Sequence, residues 1–219
     1  MALAQDGTLV SERICTEPRM QASLTAPLVK EVLDQAGLAA GDCDAICVSA
    51  GPGSYTGLRV GVSTAKGLAF GGGKPLIAVG TLDILVSGAS EDPSSPSAPQ
   101  DDNSFIVPMI DARRMEVYTA VYRADGQRLT PVEAQIVGAD SFAEYLAQGP
   151  VLFVGDGAVK CQGVIAHPNA RFQEAAPLAR HMIPLAQKAF DEGRFEDLAY
   201  YEPFYLKDFV ATVSRKQLW

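Results

Sequence analysis

Residues 44–79 constrain the fold of this chain more than any other stretch. Residues 44–50 (DAICVSA) form a short, almost continuously apolar run, the pattern of a strand buried on both faces. It leads into a glycine-rich loop, Gly51-Pro52-Gly53-Ser54-Tyr55-Thr56-Gly57. A helix is expected from about Leu58 to Phe70, closed by Gly71-Gly72-Gly73, and residues 75–79 (PLIAV) read as a second strand. Strand, loop, helix, strand is a crossover unit, and a crossover joins parallel strands of one sheet. The fold class is therefore α/β.

The flanking sequence extends this pattern on both sides. Asp6-Gly7 lies between Leu3-Ala4 and Thr8-Leu9-Val10, which predicts a hairpin with a left-handed glycine and a second strand running to about Cys15. Residues 19–36 carry Leu24, Leu28, Val29, Val32, Leu33 and Ala36 at helical spacing, and Gly37 supplies the stop. Residues 88–104 are rich in Ser, Pro and Asp and hold too little apolar surface to offset ordering entropy, which predicts a mobile linker. The strand-and-helix pattern then restarts. Strands are expected at 105–107, 116–122, 132–137 and 151–154, with a turn at Asp125-Gly126 and another at Gly155-Asp156-Gly157. A short helix over 141–148 has Asp140 or Ser141 as its cap. A last helix spans roughly 178–192, in which Pro184 marks a kink or a fresh start. The expected organisation is an N-terminal lobe over 1–87, the linker, and a C-terminal lobe with its tail over 105–219.

Charge and composition narrow the function. The formal net charge is −8, which argues against the chain gripping an RNA backbone by itself, because phosphate affinity comes from clustered Lys and Arg. A short basic group in the tail (Lys207, Arg215, Lys216) is the exception. No apolar run approaches the roughly 18 residues a membrane helix needs. The first residues, MALAQDG, lack a basic and an apolar leader region, so a cytoplasmic protein is expected. Cys43 and Cys47 flank a probable strand, whose extension separates their Cα atoms by roughly 13 Å, too far for a disulfide. Only His167 and His181 occur, too few and too badly spaced to make a zinc site.

The run Gly51-Pro52-Gly53-Ser54-Tyr55-Thr56-Gly57-Leu58-Arg59-Val60-Gly61 is specific enough to suggest kinship. Three further stretches occur in order: Asp111-Ala112-Arg113-Arg114-Met115-Glu116-Val117-Tyr118, then Gly155-Asp156-Gly157, then Tyr201-Glu202-Pro203-Phe204-Tyr205-Leu206-Lys207. Together the set resembles the TsaB (YeaZ) family of the actin, sugar kinase and Hsp70 superfamily. The resemblance implies two ribonuclease-H-like lobes. It also implies a non-catalytic scaffold subunit of the bacterial machinery that places threonylcarbamoyl on the adenosine beside the tRNA anticodon. The implied partners are a catalytic TsaD-like paralogue and a TsaE-like ATPase, or a second copy of the chain. tRNA would be met only through the complex, and ATP or ADP would be handled at the level of the complex without tight binding here. The family opens with a strand and an Asp-Thr-Ser turn. The resemblance here begins only near Met1, so the first sheet is expected to lack its central strand.

Each motif supports two readings. Gly51, Gly53, Ser54, Thr56 and Gly57 precede a helix and can present N–H groups to a phosphate, or they can simply turn the chain. The loop lacks the lysine of a P-loop. Gly61, Ala65 and Ala69 make a smooth stripe that invites close approach of another helix, either residues 19–36 of the same chain or a neighbouring subunit. The expected interface set is Leu24, Leu28, Leu58, Gly61, Ala65 and Ala69. Asp111 and Gly155 would line the nucleotide side in an active relative, or serve as an ion-pair residue beside Arg113 and Arg114 and as a turn. No catalytic or metal-binding residue is expected. The paralogue carries an HxxxH pair on a helix that here reads Arg19-Met20-Gln21-Ala22-Ser23-Leu24-Thr25. The alternative is a stand-alone enzyme, a glycoprotease-like peptidase or an ATP-binding kinase-like protein.

Overall fold

The computed structural model describes residues 1–17, 20–91 and 103–207. β1 (Ala2–Gln5) and β2 (Thr8–Glu12) form the antiparallel hairpin, turned by Asp6 at φ 49° and Gly7 at φ 75°. β2 ends at Glu12, three residues short of the Cys15 the sequence suggested. α1 (Gln21–Ala36) stops at Gly37 (φ 69°), whose N–H returns to the Asp34 carbonyl, while that of Leu38 returns to Leu33.

The crossover unit forms as expected. β3 (Ile46–Gly51) and β4 (Leu76–Gly80) pair in parallel with Ile46 opposite Leu76, joined by α2 (Tyr55–Gly72). α2 starts three residues before the expected Leu58. Ser54 caps it by accepting the Gly57 N–H at 3.4 Å, so Gly57 belongs to the first helical turn and not to the loop. Among the described residues β1–β2 and β3–β4 are separate two-stranded sheets with no ladder joining them.

α3 (Thr81–Glu91) was not anticipated, and it runs across the boundary expected at residue 88. The rest of the expected linker, residues 92–102, lies outside the described residues. Leu82, Val86 and Ala89 of α3 pack toward the large sheet with Ile106, Tyr122 and Leu152, while Ile84 packs the other way with Ile77 and Val79. A helix buried on opposite sides is apolar nearly all round, which removes the amphipathic signal that betrays most helices.

The second sheet is built from β5 (Phe105–Asp111), β6 (Glu116–Thr119), β7 (Tyr122–Arg123), β8 (Glu133–Ile136), β9 (Val151–Val154) and β10 (Ala170–Gln173), in the order β10-β9-β5-β6-β8 with β7 also on β5. β5 runs parallel to β9, and β9 parallel to β10, whereas β6 and β7 each pair antiparallel with β5. The single strand expected over 116–122 is broken because the Val121 N–H leaves the ladder for the Thr130 hydroxyl at 2.9 Å. α4 (Ala143–Leu146) is shorter than expected and uncapped by either candidate. Phe142 occupies its N-cap at φ 63°, and the Ser141 hydroxyl instead accepts the Gly138 N–H at 2.9 Å. α5 (Asp156–Cys161) follows β9, and α6 (Ile183–Asp191) follows a 3₁₀ turn at Ala179–Met182. Pro184 therefore marks a fresh start, in a first turn where its missing N–H costs nothing.

Candidate functional site

The motif regions follow the ends of β3, β5 and β9, and the tail runs from the first of them to the sheet that holds the other two. After β3 the chain turns at Gly51, φ 105°, and enters α2. A Cβ at Gly51 would lie 2.7 Å from the Phe204 carbonyl oxygen and 3.2 Å from Leu58 Cδ1, so glycine is required by both backbone angle and space. Phe204 belongs to the tail that carries the fourth motif, and its N–H bonds the Ala50 carbonyl at 2.8 Å. The chain's own tail thus lies on the glycine loop. Gly53 faces open space, and Ser54 and Thr56 are exposed.

The tail is held at several points. Lys66 of α2 donates to the carbonyls of Ala199 at 3.3 Å and Tyr201 at 3.1 Å. Tyr205 packs on Tyr55 with ring centroids 5.0 Å apart, and the Arg59 guanidinium lies 4.5 Å from the centre of the Tyr55 ring. Lys207 pairs with Glu116 at the start of β6. The tail therefore reaches from the first crossover unit to the second sheet. The Tyr201 ring packs against the α2 core, and burial, then the charge of Glu196, pushes its hydroxyl up to about 12.

Asp111 ends β5. Its expected partners were Arg113 and Arg114, but the ion pair is with Lys160 of α5, which also donates to the Glu116 carbonyl at 2.6 Å. Arg113 contributes its backbone N–H, 2.9 Å from Asp111 Oδ1. Burial alone would raise the Asp111 carboxyl, but the Lys160 ammonium and the Arg113 N–H outweigh it and hold the group below the usual carboxylate range. Arg113 and Arg114 both adopt left-handed backbone, at φ 72° and 54°, and neither forms an ion pair with Asp111, although the charge of Arg113 adds a smaller lowering of its carboxyl. Gly155-Asp156-Gly157 is not a bare turn. Gly155 (φ 125°) precedes α5, and a Cβ there would overlap the Met109 carbonyl oxygen, so the glycines let α5 settle onto β5. Asp156 fastens the contact by accepting the Asp111 N–H at 3.0 Å.

The expected interface residues divide. Ala65 and Ala69 are enclosed, Ala69 completely, against Val48 and Leu76 of their own sheet, and Leu58 is buried too. A Cβ at Gly61 would stand 3.9 Å from Val48. The close approach the smooth stripe invites is therefore made by the chain's own strands, which corrects the expectation of another helix there. Leu24 and Leu28 of α1 are half-buried. What sequence reading missed is the opposite face of α2, where Thr56, Arg59, Ser63, Gly67 and Phe70 are exposed. Phe70 is 82% exposed. On another side of α2, it and α1 frame a shallow groove lined by Val29, Leu33, Leu38 and Leu68. Extending the count of helical positions outward from the buried stripe would have found Phe70. Among the described residues no three His, Cys, Asp or Glu side chains gather as a metal site, and no helix is long and apolar enough to cross a membrane.

A family profile described as TsaD, tRNA N6-adenosine threonylcarbamoyltransferase, matches residues 19–214. With the two α/β units and the glycine loop, this defines the class, an actin-like α/β chain related to threonylcarbamoyltransferases. The tRNA threonylcarbamoyladenosine biosynthesis protein TsaB of Escherichia coli is 30% identical over 96% of this chain and 90% of its own length. That of Haemophilus influenzae is 30% identical over 84% and 78%. A crystal structure of a Pseudomonas aeruginosa protein described as similar to peptidase YeaZ superposes with a TM-score of 0.80 at 27% identity, covering 94% of this chain and 93% of the other. The chain belongs to the TsaB family.

Proposed function

We propose that this protein is a non-catalytic scaffold subunit in the synthesis of threonylcarbamoyladenosine on tRNA, working in the cytoplasm. Its partner is a TsaD-like catalytic paralogue, with a TsaE-like ATPase joining the complex and a second copy taking the surface when the paralogue is absent. tRNA and ATP or ADP are handled by the assembly. The names of the relatives supply the pathway. The observation that carries the scaffold role is Phe70 on α2, 82% exposed, and the groove that α1 and α2 frame on another side of the helix adds apolar surface. A phenylalanine left in water forgoes about 1.5–3 kcal/mol that burial would return. Leu24 and Leu28 of α1 lie on the same pair of helices and extend the proposed surface. The non-catalytic reading is supported by the residues of α1, which carry no histidine where the paralogue has its metal pair.

The test is Phe70→Glu, measured as affinity for a TsaD-like partner by sedimentation or calorimetry. Because the side chain is exposed, the melting temperature should hold, and association should weaken about 10- to 100-fold. Unchanged affinity in the folded variant would place the contact elsewhere.

A further inference from the structure

A second groove runs along the other flank of α2, away from the apolar one. Its α2 wall presents Arg59, Ser63 and Lys66, which fall on one side of the helix at spacings of four and three residues. Its opposite wall is the tail, with Tyr201, Pro203 and Tyr205, and Val62 lies in its floor. Three features of this groove are unusual for a chain of net charge −8. Among the described residues neither Arg59 nor Lys66 has a carboxylate within ion-pair distance; Lys66 spends its charge on two neutral carbonyls. An ammonium has three donors, so these two bonds leave one unused. Arg59 makes no hydrogen bond to another described residue and is held by stacking instead. Its guanidinium rests on the Tyr55 ring, against which Tyr205 also packs. A guanidinium fixed by stacking keeps its N–H edge free for a bidentate anion and its outer face free for a flat ring.

We infer that this groove binds a nucleoside phosphate, either as a free nucleotide or as a residue of an unpaired RNA strand. The phosphate meets Arg59 and Lys66, with the Ser63 hydroxyl between them, and the base lies against Arg59 and the tail aromatics. Cations interleaved with aromatic rings are the usual construction for holding nucleotides without reading their sequence. An acidic protein segment would also answer the two cations, but it would leave the aromatic half of the groove unused. The inference does not rest on the scaffold reading, since it concerns the isolated chain, although Phe70 follows Arg59 and Ser63 on the same exposed face of α2.

The experiment is calorimetric titration of the isolated protein with AMP, with ADP and with a short unpaired oligoadenylate, at low salt. Binding should fall about tenfold in Arg59→Gln, the loss expected when one charge-assisted contact is removed. Ser63→Glu, which puts a negative charge into the groove at an exposed position, should abolish it. Lys188→Gln removes an equal charge from exposed α6 and should bind as the native chain does. Circular dichroism verifies folding. Lys66 is left unchanged because it also fastens the tail. Tighter binding of the oligonucleotide than of ADP assigns the groove to an RNA strand, and equal or weaker binding assigns it to a free nucleotide. No binding of any probe at millimolar concentration overturns the inference. So does native affinity in both groove variants, or an equal loss in Lys188→Gln. Loss of a protein partner in Arg59→Gln, with no nucleotide bound, would give the groove to an acidic protein segment instead.

Discussion

Phe153 and Phe70 are the same side chain in opposite situations. Phe153, on β9, is fully enclosed, stacked on Phe172 with centroids 5.0 Å apart and edge-on to Phe142 at 5.4 Å. Around it, Phe105, Val107, Met109, Val117, Val151 and Ile165 close a continuous core beneath a six-stranded sheet. The first unit has two separate pairs of strands, and its α2 core is built on the small residues Ala65 and Ala69 with Val48, Val62 and Leu76. It leaves Leu9, Val10, Ile14, Leu38 and Phe70 exposed. The second unit encloses a continuous core and leaves single apolar side chains such as Ile136 and Val159 outside it, whereas the first has the thinner core, with Phe70 of α2 among its exposed apolar residues.

The largest effect expected from breaking this contrast is at Phe153. Truncation to alanine removes a ring packed on two others in a site that cannot collapse, and should cost about 3–5 kcal/mol. Chemical denaturation monitored by near-ultraviolet dichroism would measure it. A loss below about 1 kcal/mol would mean that the second core is loosely packed and that the two units differ less than the burial implies. Phe70→Glu is the counterpart, with the effect on association and none on melting.

A smaller loss is expected at Ala69. Its Cβ is fully enclosed between α2 and the strands, so Ala69→Leu must force those elements apart, at about 1–3 kcal/mol. The same substitution would be nearly neutral if the stripe faced outward. Thermal unfolding distinguishes the two, and it should show destabilisation whether or not a partner is present.

The comparison also explains which parts of the fold could be read in advance. α1 and the crossover unit were legible because Gly37, Gly51 and the run 44–50 each obey one strong local rule. α3 was hidden because both of its sides are buried, so Ile84 and Leu82 point to different cores and no polar stripe remains. α5 was hidden by its length and by Gly155 and Gly157, which read as a turn although they serve a close approach of helix to strand. At the candidate site, the resemblance to the family singled out the loop, Asp111 and the tail, but not that the tail lies on the loop. That contact joins residues 50 and 204 through backbone groups, and backbone contacts leave no side-chain signature. The Asp111 partner was misassigned for a related reason. Arg113 and Arg114 are near in sequence and both adopt left-handed backbone, but the ion pair is made by Lys160, which arrives from another helix.

The smallest effect should come from that ion pair, and its sign follows from the direction of the Asp111 shift. The folded carboxyl titrates below its unfolded value of about 3.9. A depressed acid contributes stability that is fully present above the unfolded value and disappears as the pH falls through the folded one. Asp111 is largely in solvent and Lys160 partly so, hence the screened contribution should not exceed about 1 kcal/mol. Asp111→Asn should therefore lower stability slightly at pH 6–7, with the native and variant curves converging as the solution is acidified below about pH 4. The amide can still accept the Arg113 N–H, and Lys160 keeps the Glu116 carbonyl, so the hairpin should remain in place. Urea denaturation of both proteins at several pH values gives the difference directly. A constant difference from pH 3 to pH 7 would show that Asp111 acts through packing or its backbone contacts and that the charge on Lys160 is immaterial to the joint between β5 and α5.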